Sequence, residues 1–336
     1  MGGDYGPSVT VPAALDALAL YPSLKLILVG DALALEAQLK EVTYDQSRLR
    51  LHHASEQVLM DESPALALRL KKDSSMRVAI NLVKSGEAAA CVSAGNTGAL
   101  MAIARFVLKM LPGIDRPAIV YSIPVKAGEE KMGRVRMLDL GANVDCQGEH
   151  LFQFAVMGSV LAGAVDDLAS PRVGLLNIGS EAIKGSEAVK QAAQMLSETQ
   201  LINYIGFVEG TDIYLGKADV VVCDGFVGNV ALKSSEGVAK MLVDFIRHEF
   251  TRNIYTKFVA LLATPILRAI KKRFDPSQYN GASLVGLTGI VIKSHGNAQR
   301  HGFKQAIIAA MIEAEKNIPH RIRSEVERYL GEHNTA

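Results

Sequence analysis

The stretch "ADVVVCDGFVGNVALK" (residues 218–233) passes from an apolar run to a helical pattern through a corner built of Asp224, Gly225, Gly228 and Asn229. Val220 to Cys223 is apolar on both faces, as in a strand that helices cover on both sides of a mostly parallel sheet. Worked outward, the reading recurs along the chain. Runs 24–30, 88–95, 117–124, 136–143, 172–179 and 202–210 are strand-like, and most end in Gly, Asn or Asp. Stretches 96–111, 148–165, 186–198 and 229–249 carry helical spacing. This alternation predicts a doubly wound α/β fold with a mostly parallel sheet. Pro112, Gly113, Pro117 and "KAGEEKMGR" (126–134) interrupt the pattern, so a boundary between lobes would fall at 112–135. With no linker and no repeat elsewhere, residues 1–336 read as a single α/β domain.

Hydrophobic residues make up 49% of the chain and charged residues 21%, which allows a sizeable core and argues against disorder. Lys and Arg number 36 against 35 for Asp and Glu, so the basic excess expected of a nucleic-acid binder is missing. Cys91, Cys146 and Cys223 are too few and too scattered for a disulfide framework or a zinc site, which points to a reducing, cytosolic compartment. "MGGDYGPS" (1–8) has neither region of a signal peptide, and no uncharged apolar run reaches the roughly 18 residues of a membrane span. Neither GxxxxGK[ST] nor GxGxxG occurs, and no metal-ligand spacing is present. A familiar nucleotide site and a metal are therefore not expected.

Three more corners share the form of the first: "CVSAGNTGALMAIARF" (91–106), "LDLGANVDCQGEH" (138–150) and "LLNIGSEAIKGSEAVK" (175–190). Ligands of open α/β sheets bind outside the carboxyl ends of the strands. Helix N-termini there present free N–H groups and partial positive charge, which suit phosphate. Glycine lets backbone approach an anion, and asparagine adds donors without a charge to desolvate. One such corner is ordinary helix capping; four together point to an anion site. Lys184 adds a compact cation at its corner, although a lone lysine in a polar loop is more commonly a solvated surface group.

A rival reading starts from "CVSAG" (91–95), which misses only the first glycine of the GxSxG nucleophile elbow. Asp224 and His295 follow in the Ser–Asp–His order of α/β-hydrolases. A motif that fails at one of its own positions is weak, and the donor-rich "NTGAL" (96–100) fits anion capture at least as well.

Taken together, the corners resemble the phosphate acyltransferases of bacterial phospholipid synthesis, the PlsX family. The resemblance runs through "MGGDYGP" (1–7), "VSAGNTGAL" (92–100), "LDLGANVDC" (138–146), "LLNIGSEAIKG" (175–185), "VCDGFVGNVALK" (222–233) and "YNGASLVGLTGIVIKSHG" (279–296). It implies a homodimer with a three-layer α/β/α fold like that of isopropylmalate dehydrogenase. It also implies transfer of a long fatty acyl chain from acyl carrier protein to inorganic phosphate, giving acyl phosphate for phosphatidic acid synthesis, with no metal or organic cofactor. A short-chain acyl-CoA phosphotransacylase is the neighbouring alternative. Family members carry a short strand with an aspartate just before the "MGGD" sequence. On that pattern Met1 is expected to be an internal methionine, and loss of the strand would leave two neighbours unpaired beside an open apolar groove.

The matched positions assign roles. Lys184 is expected to meet phosphate and oxyanion charge, and Asn229 to hydrogen-bond the reacting groups. Ser93, Asn96 and Thr97 are candidates for phosphate or pantetheine contacts, and Asp139, Asn143 and Asp224 for shaping the pocket. All six are also residue types that cap helices and order turns. Lys293 and His295 of "IKSHG" (292–296) complete the candidate set.

"FTRNIYTKFVALLATPILRAIKKRF" (250–274) contains six basic residues and no acidic one. Ile254, Phe258, Leu261 and Leu262 repeat at helical spacing before Pro265 interrupts the run. Two short amphipathic helices joined at that proline would form a protrusion at about 248–275, with Phe258, Leu261 and Leu262 touching an anionic membrane surface. The ordinary alternative is a helix pair packed on the core, and the basic face would equally suit the acidic carrier protein. The expected location is cytoplasmic with peripheral membrane attachment.

Overall fold

The computed structural model describes residues 1–127, 131–273 and 275–333. Its strands are β1 (Leu26–Gly30), β2 (Leu49–His53), β3 (Ala90–Ser93), β4 (Ala118–Ala127), β5 (Lys131–Leu138), β6 (Arg172–Leu176), β7 (Asn203–Val208), β8 (Val220–Val222), β9 (Ala282–Val285) and β10 (Ile290–Lys293). The first six helices are α1 (Pro7–Leu20), α2 (Ala32–Leu39), α3 (Pro64–Leu70), α4 (Ser75–Lys84), α5 (Thr97–Leu108) and α6 (Gly148–Val165). After them come α7 (Glu187–Glu198), α8 (Gly225–Thr251), α9 (Ile254–Arg273), α10 (Arg300–Glu315) and α11 (Ile318–His333).

Eight strands form one sheet in the order β3-β10-β9-β4-β5-β8-β6-β7. The pairs β3–β10, β5–β8, β8–β6 and β6–β7 are parallel. In the middle, β9 and β4 are each antiparallel to both of their neighbours. The sheet is mostly parallel, but its two parallel halves therefore run in opposite directions.

Both faces of the sheet are covered, as the doubly apolar strands require. Met137 and Val221 pack with Ile80, Leu100 and Ile103 of α4 and α5 on one face. Leu138, Val220 and Val222 point the other way, onto Leu151, Phe154, Met157 and Leu161 of α6 and Leu196 of α7. The two-residue period of the strand splits one apolar run between two cores. The result is three layers, α/β/α.

The interruption at 112–135 holds paired strands. There β4 and β5 run as a long antiparallel pair, from Tyr121 opposite Met137 to Ala127 opposite Lys131. Residues 128–130 of the polar stretch lie outside the described residues. The strand read at 136–143 starts earlier and ends at Leu138, because Asp139 already belongs to the corner.

β1 and β2 pair with each other and with no strand of the large sheet among the described residues. Between β1 and β3 opens a cavity of about 800 Å³ walled by Leu26, Leu28, Ala90, Val92, Phe303 and Ile307. It touches Ser93 but neither Lys184 nor Asn229. It is a gap in the layer of strands, away from the tips of β5, β8 and β6.

The helical protrusion begins well before residue 248. α8 is exposed over nearly all of its length beyond Lys233, and α9 folds back against it. The break between them lies at Arg252–Asn253, where the Asn253 carboxamide accepts from Thr256 N at 2.9 Å and caps α9. Pro265 sits inside α9 and does not end it. Its missing N–H leaves one carbonyl unpaired, which an exposed helix hands to water. Phe258, Leu261 and Leu262 are exposed on α9. Phe274 and the side chains of Lys271, Lys272 and Arg273 lie outside the described residues.

Candidate active site

Strand register sets three of the corners side by side. Val222 of β8 lies opposite Leu138 of β5 and opposite Leu175 of β6. The chains leaving these strands therefore start about 5 Å apart on the same edge of the sheet. Asp139 N donates to Cys223 O at 2.9 Å and Cys223 N to Leu138 O at 2.7 Å, which carries the pairing into the corner.

The two glycines of the first corner answer to packing. A β-carbon on Gly225 would lie 2.6 Å from the Asn143 carbonyl oxygen, and one on Gly228 only 2.0 Å from the Asp139 carbonyl oxygen. The first turn of α8 thus presses directly on the 139–143 backbone, and Gly225 N donates to Asn143 O at 2.7 Å. No other side chain fits between them.

Asp139 is fully buried and saturated. Its Oδ1 accepts from Ile119 N (2.9 Å) and Ala142 N (3.2 Å), and its Oδ2 from Asn143 N (2.7 Å) and Asn143 Nδ2 (2.8 Å). Burial pushes its pKa up, against the pull of these donors. Asn143 also donates to Pro117 O at 2.8 Å. Asp224 caps α8, its Oδ1 accepting from Phe226 N and Val227 N at 2.9 Å each. These three shape the corner from within. Asn229 is left at its surface, exposed against Gly141, and Lys184 is partly exposed in the neighbouring corner after β6.

Lys184 is held by two residues that sequence reasoning missed. Asn177, at the end of β6, donates from Nδ2 to Lys184 O at 3.1 Å and accepts from Ile178 N at 2.9 Å, closing the 178–184 loop. Glu181 receives the lysine Nζ at 2.8 Å. The amine bonded to it draws the Glu181 carboxyl below its ordinary pKa. The signal for both was present, an asparagine ending an apolar run and an acid three residues before a lysine. Such an exposed pair is weak, so an incoming anion can displace the carboxylate.

The remaining candidates form a second group, at the carboxyl ends of β3 and β10. Because β10 runs opposite to β8, this group sits at the other end of the sheet. Asn96 caps α5 through Ala99 N (3.0 Å) and ties down a loop by donating to Met60 O and Glu62 O (2.9 Å each). Ser93 Oγ accepts from Gly95 N at 3.2 Å, and Thr97 is exposed. Lys293 is buried, with Nζ donating to the carbonyls of Ser294 and Ala94, and burial lowers its pKa to about 8. His295 Nε2 lies 3.2 Å from the hydroxyl of Tyr121, a third residue that sequence reasoning missed. Burial holds the His295 imidazole below its ordinary pKa, and the charges of Glu236 and Lys233 on α8 also act on it. From Asp224 to Glu236, roughly 18 Å of helix connects the two groups.

This arrangement does not assemble the hydrolase triad. Ser93 and His295 follow neighbouring parallel strands, but Asp224 lies at the opposite end of the sheet and is occupied in capping α8. The thiols offer no nucleophile either. Burial pushes Cys91 up to about 12 and Cys146 up to about 11, and raises Cys223 as well.

The fold is that of the phosphotransacylases. The EutD phosphotransacetylase from Staphylococcus aureus superposes with a TM-score of 0.58 over 92% of each chain, at 16% identity. A phosphotransacetylase from Streptococcus pyogenes gives 0.57 over 92% of this chain and 91% of the other, at 18% identity. Residues 1–321 match the family described as "Fatty acid synthesis protein", and the chain belongs to that family, the PlsX family. The "Phosphate acyltransferase" of Methylococcus capsulatus is 59% identical over all of this chain and 98% of the relative. That of Alkalilimnicola ehrlichii is 60% identical over 98% of this chain and 95% of the relative.

Proposed function

We propose that this protein is a phosphate acyltransferase, transferring a long fatty acyl group from an acyl carrier protein thioester to inorganic phosphate. The observation that carries the reading is the near-60% identity, end to end, with proteins bearing that name. The corner geometry accords with it. Lys184 receives the phosphate dianion in place of Glu181. A phosphate oxygen attacks the thioester carbonyl carbon, and the Asn229 amide donates to the carbonyl oxygen as it gains charge. The C–S bond then breaks, and the departing thiolate takes the phosphate proton. Acyl phosphate and free carrier thiol result. Phosphate is already a nucleophile near neutral pH, so positioning and preorganised donors supply the acceleration.

In this reading the pantetheine arm lies along α8, from Asn229 toward Ser93, Thr97, Lys293 and His295. The α8–α9 hairpin carries more exposed large apolar side chains than a lone soluble surface keeps, among them Leu242, Phe245, Ile246, Phe258, Leu261 and Leu262. That excess supports a homodimer and attachment of the hairpin to an anionic membrane from the cytoplasm. No helix among the described residues is long and apolar enough to cross a membrane. Release of carrier thiol from palmitoyl-[acyl carrier protein], with and without inorganic phosphate, tests the reaction. Release that depends on phosphate is expected, and release indifferent to phosphate overturns it.

A further inference from the structure

The corners that hold Lys184 and Asn229 also expose large apolar side chains in an arrangement that solubility alone does not explain. Ile178 and Ile183 flank the Lys184 loop, at 80% and 84% exposure. Phe226 on the first turn of α8 is 63% exposed, and Val230, one turn on, shares its side of the helix. Val144, in the neighbouring corner after β5, is exposed as well. Single exposed apolar residues are normal, but five on three corners at the tips of adjacent strands are not scattered.

We infer that Ile178, Ile183, Phe226, Val230 and Val144 form the seat of the substrate's acyl chain, and so set chain-length preference. The inference rests on the phosphate acyltransferase reading and adds to it the place of the chain. The occupant is argued from the pairing of a polar centre with an apolar surround. A cation and an amide on these corners meet the polar head of an amphiphile, and the exposed apolar side chains on the same corners accept a tail that leaves the same carbon. A partner protein on the same surface would cover Lys184 and Asn229. The tail needs only to lie beside them.

Binding of two unreactive thioethers, S-dodecyl- and S-butyl-pantetheine, decides the matter without turnover. Calorimetry on the full-length wild type is expected to show the dodecyl compound binding at least tenfold more tightly than the butyl one. In Ile183→Ser/Phe226→Ser that preference falls to less than about threefold, while butyl affinity stays within twofold, which also shows that the variant is folded. A double variant that keeps the full dodecyl preference overturns the inference. So does one in which both ligands weaken in parallel. Phosphate-dependent thiol release from palmitoyl carrier protein, measured on the same wild-type sample, tests the reaction separately. Its absence would remove the reaction, whereas the thioether comparison still decides where an acyl chain sits.

Discussion

Gly228 and Asp139 are in direct backbone contact, so close that a β-carbon on the glycine would stand 2.0 Å from the aspartate's carbonyl oxygen. This contact locks the first turn of α8, and with it Asn229, onto the corner after β5. Gly228→Ala gains up to about 1 kcal/mol of helix propensity but forces backbone apart, and the loss is expected to win by about 2 kcal/mol net. Gly237, farther along the same helix with open space at its α-carbon, supplies the contrast. Gly237→Ala should stabilise by up to about 1 kcal/mol. Urea unfolding of the two variants should give shifts of opposite sign.

The contact also marks what the sequence made legible. The doubly apolar runs around Val220, Leu175 and Met137 revealed strands, layers and the corners at their tips. β9 and β10 went unread, because "ASLV" and "IVIK" are four residues each and sit among glycines. Pairing direction was invisible too, since an apolar strand looks the same whichever way its neighbour runs. For that reason Ser93 and His295 were grouped with Asp224, and the structure separates them. Asn96 is read from the sequence as a phosphate or pantetheine contact and Asp139 and Asn143 as shaping the pocket; the polar atoms of all three are taken up by partners within the fold. Residue type signals that a polar atom needs a partner, and only the fold says which.

Glu313 carries a prediction in pH. It is buried in α10, accepts from Ser283 Oγ at 2.9 Å, and burial raises its pKa to about 7. The folded state holds this proton more tightly than the unfolded chain does. Its contribution is full below about pH 4.5 and is lost as pH rises toward 7. Glu313→Gln should therefore be within about 1 kcal/mol of wild type at pH 5. At pH 8 it should be more stable by on the order of 3 kcal/mol. Equal urea midpoints for variant and wild type at pH 8 would refute the assignment.

The hairpin is tested on lipid. Phe258 and Leu262 lie one turn apart on α9 and are both exposed. Phe258→Glu/Leu262→Glu should lower flotation with anionic liposomes at least tenfold, with thiol release in detergent-free solution unchanged within twofold. Equal flotation of variant and wild type would remove this surface as the anchor.

The central claim concerns Lys184 and Asn229. Removing one preorganised donor costs roughly a hundredfold or more in turnover. Phosphorus NMR of a mixture of palmitoyl carrier protein and inorganic phosphate follows the product directly. With wild type, an acyl phosphate resonance should grow in step with free thiol, and in folded Lys184→Ala and Asn229→Ala it should grow at least a hundredfold more slowly. Wild type that releases thiol and fatty acid with no new phosphorus resonance would contradict the account, as would either variant working at the wild-type rate.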